Sequence, residues 1–172
     1  MSALWKNWLV VAAGAALAIL VIAHGFETFG HLAPCELCLK EREGYWIALE
    51  LGVLGSVATR QSWLWPRLLP WFCLALALVF IADGALSVYH AGVEWKFWPG
   101  PEACTGGGHK VTIADMRRLL RGGAMAVPQC DKPAWVFLGL SMSGWNVLLA
   151  LGLATGSLAA TWVNFRTRVR PA

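Results

Sequence analysis

The sequence predicts an all-α integral membrane protein, a bundle of four transmembrane helices with one long loop that carries a short interfacial helix. Three observations predict it. Only 14% of the 172 residues are charged and 58% are hydrophobic, whereas a soluble domain carries about 25% charged residues. There are eleven tryptophans, and amphipathic rings of this kind collect where membrane meets water; Trp5 and Trp8 flank one apolar run, Trp63, Trp65 and Trp71 cluster at a turn, and Trp95 and Trp98 follow another run. Four apolar stretches each approach the roughly 20 residues that a spanning helix needs. Such spans must be helical, because backbone groups left unpaired in hydrocarbon cost several kcal/mol each. The net charge of +4 forms no basic stripe interleaved with aromatics, which argues against nucleic acid as a partner.

The first span is expected at about 8–23. Lys6 precedes it, but the charge-free run continues from Asn7 to Phe26, longer than the apolar region of a cleaved signal, so it reads as a retained span. The second, at about 44–59, is interrupted by Glu50, and the third, at about 68–89, contains Asp83. The fourth, at about 143–163, lies in the charge-free window from Pro133 to Phe165. Gly14, Ala15, Gly52, Gly55, Gly152 and Gly156 are small enough for close helix packing. The links between spans are a short polar segment (24–43), a tight turn from Arg60 to Arg67 with Pro66, and a long segment rich in Gly and Pro (90–142). The whole chain, 1–172, reads as a single membrane domain without repeats. Within the long link, Val111 to Arg121 predicts a short helix. Thr112 and Asp115 fit a capping box, and Ile113, Met116, Leu119 and Leu120 set against Arg117, Arg118 and Arg121 suit a helix in the interface plane, a solvated loop helix being the alternative.

Lys6, Arg60, Arg67, Arg166, Arg168 and Arg170 fall on one face, and Lys40, Arg42, Lys96, Lys110, Arg117, Arg118, Arg121 and Lys132 on the other. The count does not favour the first face as cytoplasmic, but most of the opposing charges lie in the long loop, and charges near span ends dominate orientation. The termini and the short turn are therefore placed in the cytoplasm. With four spans, the first and third links emerge on the same face. Cys35 and Cys38 from one, and Cys104 and Cys130 from the other, meet at one membrane surface. Cys73 lies near the opposite face, across a bilayer core about 30 Å thick, and reads as a small buried hydrophobe.

The chemistry centres on Pro34-Cys35-Glu36-Leu37-Cys38-Leu39-Lys40-Glu41-Arg42. A Cys-x-x-Cys pair at a helix start is a redox arrangement, because the helix N-terminus and nearby cations favour the nucleophilic thiolate. Arg42 stands four residues after Cys38, on the same helix face, charged at any relevant pH, and is expected to steady a Cys38 thiolate and to donate hydrogen bonds to an acceptor carbonyl. Cys104 precedes Gly106, Gly107 and Gly108, and Cys130 follows Pro128; such surroundings suit a loop that moves or admits a partner chain. A four-cysteine zinc site is the competing reading, but only one pair has zinc-type spacing, and no metal is assigned. Leu39 rather than His follows Cys38, which argues against haem attachment. Glu50 and Asp83, at membrane depth, are functional candidates by default, with a neutral or hydrogen-bonded carboxyl facing the bundle as the plainer alternative. His31 and His90 lie near the cysteine face as possible proton carriers or bystanders.

At these residues the chain resembles the disulfide bond formation protein B (DsbB) family, over nearly its whole length. The resemblance rests on PCELCLKER at 34–42, YHAGVEWKFWPGP at 89–101 before Cys104, and Gln129-Cys130-Asp131 leading to WVFLGLSM at 135–142. Ser143 stands where the family often has proline. The resemblance implies a thiol:quinone oxidoreductase of the bacterial inner membrane, with its termini cytoplasmic and its cysteine pairs periplasmic. It implies that a Cys104–Cys130 disulfide oxidises a DsbA-type thioredoxin-fold partner, Cys104 taking the mixed disulfide. Cys130 then exchanges with Cys35, and Cys38 passes electrons to ubiquinone or menaquinone beside Arg42. A DsbA-type partner has a potential of about −120 mV, and each 30 mV uphill costs about 1.4 kcal/mol for two electrons, so a glutathione pool reoxidises it poorly whereas a membrane quinone suffices. No Rossmann glycine pattern offers NAD or FAD instead. Two alternatives stay open. One is a quinone reductase resembling vitamin K epoxide reductase, although that family's Cys-x-x-Cys follows its loop cysteines. The other is a cysteine-based metal-binding membrane protein.

Overall fold

A computed structural model describes residues 3–61, 65–101, 116, 117, 120 and 130–169. Its architecture is helical. A short helix α1 (Ala3–Lys6) leads into α2 (Trp8–Thr28), α3 (Glu36–Gln61) and α4 (Trp65–Glu94). A two-stranded hairpin, β1 (Val136–Phe137) and β2 (Leu140–Ser141), then leads directly into α5 (Met142–Val169). Three of the helices contain stretches long and apolar enough to cross a membrane: Trp8–Thr28, Arg67–Glu94 and Met142–Arg166. The fourth, α3, is as long, but its first two turns carry Glu36, Lys40, Glu41, Arg42 and Glu43. Every long helix runs past the apolar stretch that announced it, because a helix continues into the polar interface for as long as its backbone bonds are satisfied.

The closest packing is α4 against α5, and α3 is held between α2 and α4. The core is built from Leu9, Ala12, Ala16 and Leu20 of α2, Tyr45 and Ala48 of α3, Leu69, Cys73, Leu76 and Phe80 of α4, and Ala154 and Ala160 of α5. Of the glycines expected at helix contacts, Gly52 and Gly55 fulfil the role: a Cβ at Gly52 would lie 2.8 Å from the Ala13 Cβ and 2.9 Å from the Leu9 carbonyl oxygen. Gly156 makes room for the Trp8 ring, whose indole N–H donates to Ser157 Oγ at 2.9 Å. Gly14 and Gly152 face open space, so the expectation fails for them; helix periodicity puts them on the outer faces of α2 and α5.

The hairpin before α5 was not foreseen. Val136 pairs with Ser141 and Phe137 with Leu140, and the turn residues Leu138 (φ 52) and Gly139 (φ 80) both lie in the left-handed region, as a tight turn matched to strand twist requires. Leucine there costs about 1 kcal/mol or more. The helix expected at 111–121 falls mostly outside the described residues; Met116, Arg117 and Leu120 are helical and exposed. Cys104 and residues 62–64 of the expected 60–67 turn also lie outside them.

Candidate active site

Helix α2 ends with the Phe29 N–H bonded to the Gly25 carbonyl at 2.9 Å, and His31, at φ 52, reverses the chain. Pro34 disfavours helix at the residue before it, and the chain re-enters helix at Glu36. Cys35 is the N-cap of α3. Its carbonyl accepts the first helical bond, from the Leu39 N–H at 3.1 Å, and its Sγ accepts the Cys38 N–H at 3.3 Å, one of the amides a helix start leaves without an internal partner. The two sulfurs stand 3.0 Å apart and share a hydrogen bond; both are free cysteines.

The hydrogen bond from the Cys38 side chain holds Cys35 below the ordinary thiol range, and the Cys38 amide works in the same direction, against burial and the nearby Glu41 charge, which push it up. The spacing along the chain points to a Cys38 thiolate steadied by Arg42, whereas the capping geometry favours negative charge on Cys35. Arg42 is engaged elsewhere, donating to Glu27 Oε2 at 2.6 Å and to the Ala23 carbonyl at 3.2 Å, which ties the start of α3 to the end of α2.

The neighbour of the pair is His90, 3% exposed. Its Nε2 is 3.6 Å from Cys35 Sγ and its Nδ1 is 2.8 Å from Glu41 Oε1. Behind it runs a buried polar network. Asn146 Nδ2 reaches Ser87 Oγ at 2.7 Å and Glu41 Oε2 and Asp83 Oδ2 at 3.3 Å each, while its Oδ1 accepts the Tyr45 hydroxyl at 2.6 Å. Ser143 donates to Glu94, whose Oε1 is 3.9 Å from His90 Nε2. The second Asp83 oxygen is buried without a hydrogen-bond partner among the described residues.

Cys35, Cys38, Glu41, Arg42, Tyr45, His90, Glu94, Ser143 and Asn146 open onto one cavity of about 670 Å³, otherwise walled largely by apolar and aromatic side chains including Ile19, Phe26, Trp135, Trp145 and Leu149. Cys130, disulfide-bonded and 1% exposed, packs with Cys35, Leu37 and Val93 in a buried cluster that Cys38 and Leu86 adjoin. Among the described residues the fold thus brings together Cys35, Cys38 and Cys130, with Arg42 on the same cavity. Cys73 is apart from them, in the apolar core. His31 is exposed and Glu50 faces outward, whereas Asp83 and His90 turn into the bundle.

Spacing along the chain does not single out Glu41, Glu94, Tyr45, Ser143 or Asn146. For Glu41 a signal existed: it follows Cys38 by three residues and so shares its helix face. Asn146, a lone amide at the start of an apolar span, is the only trace the rest left.

A family model described as disulfide bond formation protein DsbB matches residues 5–160. Among similar proteins are disulfide bond formation protein B 2 of Pseudomonas putida, 31% identical over 169 residues and 96% of each chain, and disulfide bond formation protein B of Methylococcus capsulatus, 29% identical over 148 residues, 84% of this chain and 87% of that one. The protein of the same name from Dechloromonas aromatica is 28% identical over 155 residues, 86% and 87% of the two chains. A match over nearly the whole length, with a relative above 30% identity across almost all of both proteins, means that the chain belongs to the DsbB family of disulfide bond formation proteins.

Proposed function

We propose that the protein is a protein-dithiol:quinone oxidoreductase of the bacterial inner membrane, which reoxidises a periplasmic DsbA-type thioredoxin-fold protein. In this reading α3 is the fourth span, the termini are cytoplasmic, and the cysteine pairs face the periplasm. The observation that carries it is the placement of a Cys-x-x-Cys pair at a helix N-terminus, between a buried disulfide cysteine and a largely apolar cavity lined by an arginine and a histidine.

Cys104 and Cys130 form the pair that meets the partner. A partner thiolate attacks this disulfide at Cys104, and the partner's second thiol then releases Cys104, so that two electrons and two protons pass to the Cys104–Cys130 pair. Cys130 shares a buried apolar cluster with Cys35, which favours attack of a Cys130 thiolate on the Cys35–Cys38 disulfide away from bulk water. That exchange makes a mixed disulfide to Cys35 and leaves Cys38 as thiolate. Attack by Cys104 on Cys130 then restores the outer disulfide and leaves the inner pair reduced.

The cavity suits ubiquinone or menaquinone: its walls are mostly apolar, and Arg42 and His90 supply polar groups at one end. When bound there, the quinone supplies the two-electron, two-proton acceptor that returns the inner pair to its disulfide. The Cys38 amide and the helix end hold negative charge on Cys35. His90, its Nδ1 fixed by Glu41, holds Nε2 toward the sulfurs to take and pass a proton, and Arg42 keeps a positive charge at the cavity wall. The test is optical: quinone reduction by the purified protein in detergent, driven by a reduced thioredoxin-fold partner, is expected in the wild type and absent in Cys38→Ser. Equal rates in both would overturn the relay.

A further inference from the structure

The Cys35 and Cys38 sulfurs and His90 Nε2 all lie within 4.8 Å of one another, a grouping that serves the relay and that is also close to the spacing of a metal's ligands. A tetrahedral zinc with ligands at about 2.3 Å for sulfur and about 2.0–2.1 Å for nitrogen holds S and N about 3.6 Å apart and two sulfurs about 3.8 Å apart. The Cys35 Sγ to His90 Nε2 distance is 3.6 Å. The sulfurs, at 3.0 Å, are closer than this and would part by about 0.8 Å on binding.

The orientation of the imidazole strengthens the case. An ionised carboxylate only accepts hydrogen bonds, so in neutral His90 the 2.8 Å contact of Nδ1 with Glu41 Oε1 favours the proton on Nδ1 and leaves Nε2 facing the sulfurs as an acceptor. A carboxylate behind a histidine is the outer shell that metal-binding imidazoles use. Asn146 in turn holds the other Glu41 oxygen. The fourth position opens on the cavity.

We propose that the reduced Cys35–Cys38 pair and His90 form a binding site for a thiophilic divalent cation such as zinc. Binding replaces whatever protons the two sulfurs still carry, which leave to solvent, and moves no electrons. The disulfide form has no thiolate to offer, so the site exists only while the pair is reduced. If the pair has the redox role proposed above, on which this consequence rests, the cation holds it reduced and stops turnover until a chelator removes the metal.

The probe is Co²⁺, titrated into the full-length protein in detergent after reduction and removal of the reductant. One Co²⁺ per chain is expected, with thiolate charge-transfer absorption and tetrahedral visible bands, displaced by Zn²⁺ and absent from protein whose thiols have been oxidised. Glu41→Gln should weaken binding by about 10–100-fold, His90→Gln by more, and the Cys104→Ser/Cys130→Ser variant should bind as the wild type does. Absence of the bands from reduced wild type, their persistence after oxidation, equal affinity in His90→Gln and Glu41→Gln, or loss in Cys104→Ser/Cys130→Ser would each overturn the site. The wild-type comparison of reduced with oxidised protein needs no variant to fold. None of these readings depends on quinone reduction, so a failed relay and a failed metal site give different results.

Discussion

Cys35, Cys38 and Cys73 are all free cysteines on the same helical bundle, yet their surroundings set them apart. Cys73 is fully buried in the core with Leu69, Leu76 and Phe80. Cys35 is nearly as buried, at 6%, but it caps a helix, accepts the Cys38 amide, faces an imidazole and opens onto a cavity. Burial by itself therefore does not make a thiol inert. Inertness follows when burial comes without a donor for the thiolate, and reactivity follows when an amide, a second sulfur and a helix end supply one.

The sharpest break between the two regions comes from single substitutions. Cys38→Ser is expected to reduce dithiol-driven quinone reduction to background, whereas Cys104→Ser should block oxidation of the partner and leave the Cys35–Cys38 pair able to form; thiol trapping and optical assays separate the two. Next in size, Arg42→His should lower the apparent affinity for quinone by roughly 10–100-fold, the loss of hydrogen bonds from a charged donor worth about 1.5–3 kcal/mol, with partner KM little changed.

A third test works through pH. Because the Cys38 side chain is the main cause that lowers Cys35, the thiolate persists below the ordinary thiol value of about 8.5. The midpoint for alkylation of Cys35 in the reduced protein should fall below that value and rise in Cys38→Ala. A midpoint unmoved by that change would remove the distinction drawn from capping. Asn146→Leu should cost about 1–3 kcal/mol by leaving buried acceptors unpaired, read as a lower midpoint of thermal unfolding in detergent. The smallest effect belongs to Cys73→Ala: catalytic rate within about twofold, and a stability loss of about 1 kcal/mol for one buried sulfur, near the common value for single substitutions.

What was legible in the sequence was whatever local spacing encodes. The apolar runs announced the helices, Cys-x-x-Cys announced a redox helix start, and Cys73 was separated from the others by its position along its span. Glu50 and Asp83 looked equivalent as single carboxyls in apolar runs, and only the rotation of α3 and α4 put one outside and the other within. The His90–Glu41–Asn146 network joins residues 49 and 105 positions apart, a distance over which no periodicity carries information. The partner of Arg42 is hidden for a related reason. The i, i+4 spacing of Cys38 and Arg42 permits a contact, but Glu27, on another helix, offers the guanidinium a carboxylate that spacing along α3 cannot reveal. The hairpin at 136–141 lay hidden because its strands are two residues each, too short to alternate.

The bond from the Trp8 indole to Ser157 joins residues 149 positions apart, and this has a consequence for biosynthesis. Helix α2 packs mainly against α3, but its Trp8 contact forms only once α5 has been made. The same final helix brings Ser143, Trp145 and Asn146 to the cavity wall. Closing so long a loop before its contacts reward it is slow, so α2 waits in the bilayer with its Trp8 side unpaired, and a chain stopped before α5 has cysteines but no finished chamber around them. The chamber around the cysteines is thus finished only after α5 is in place.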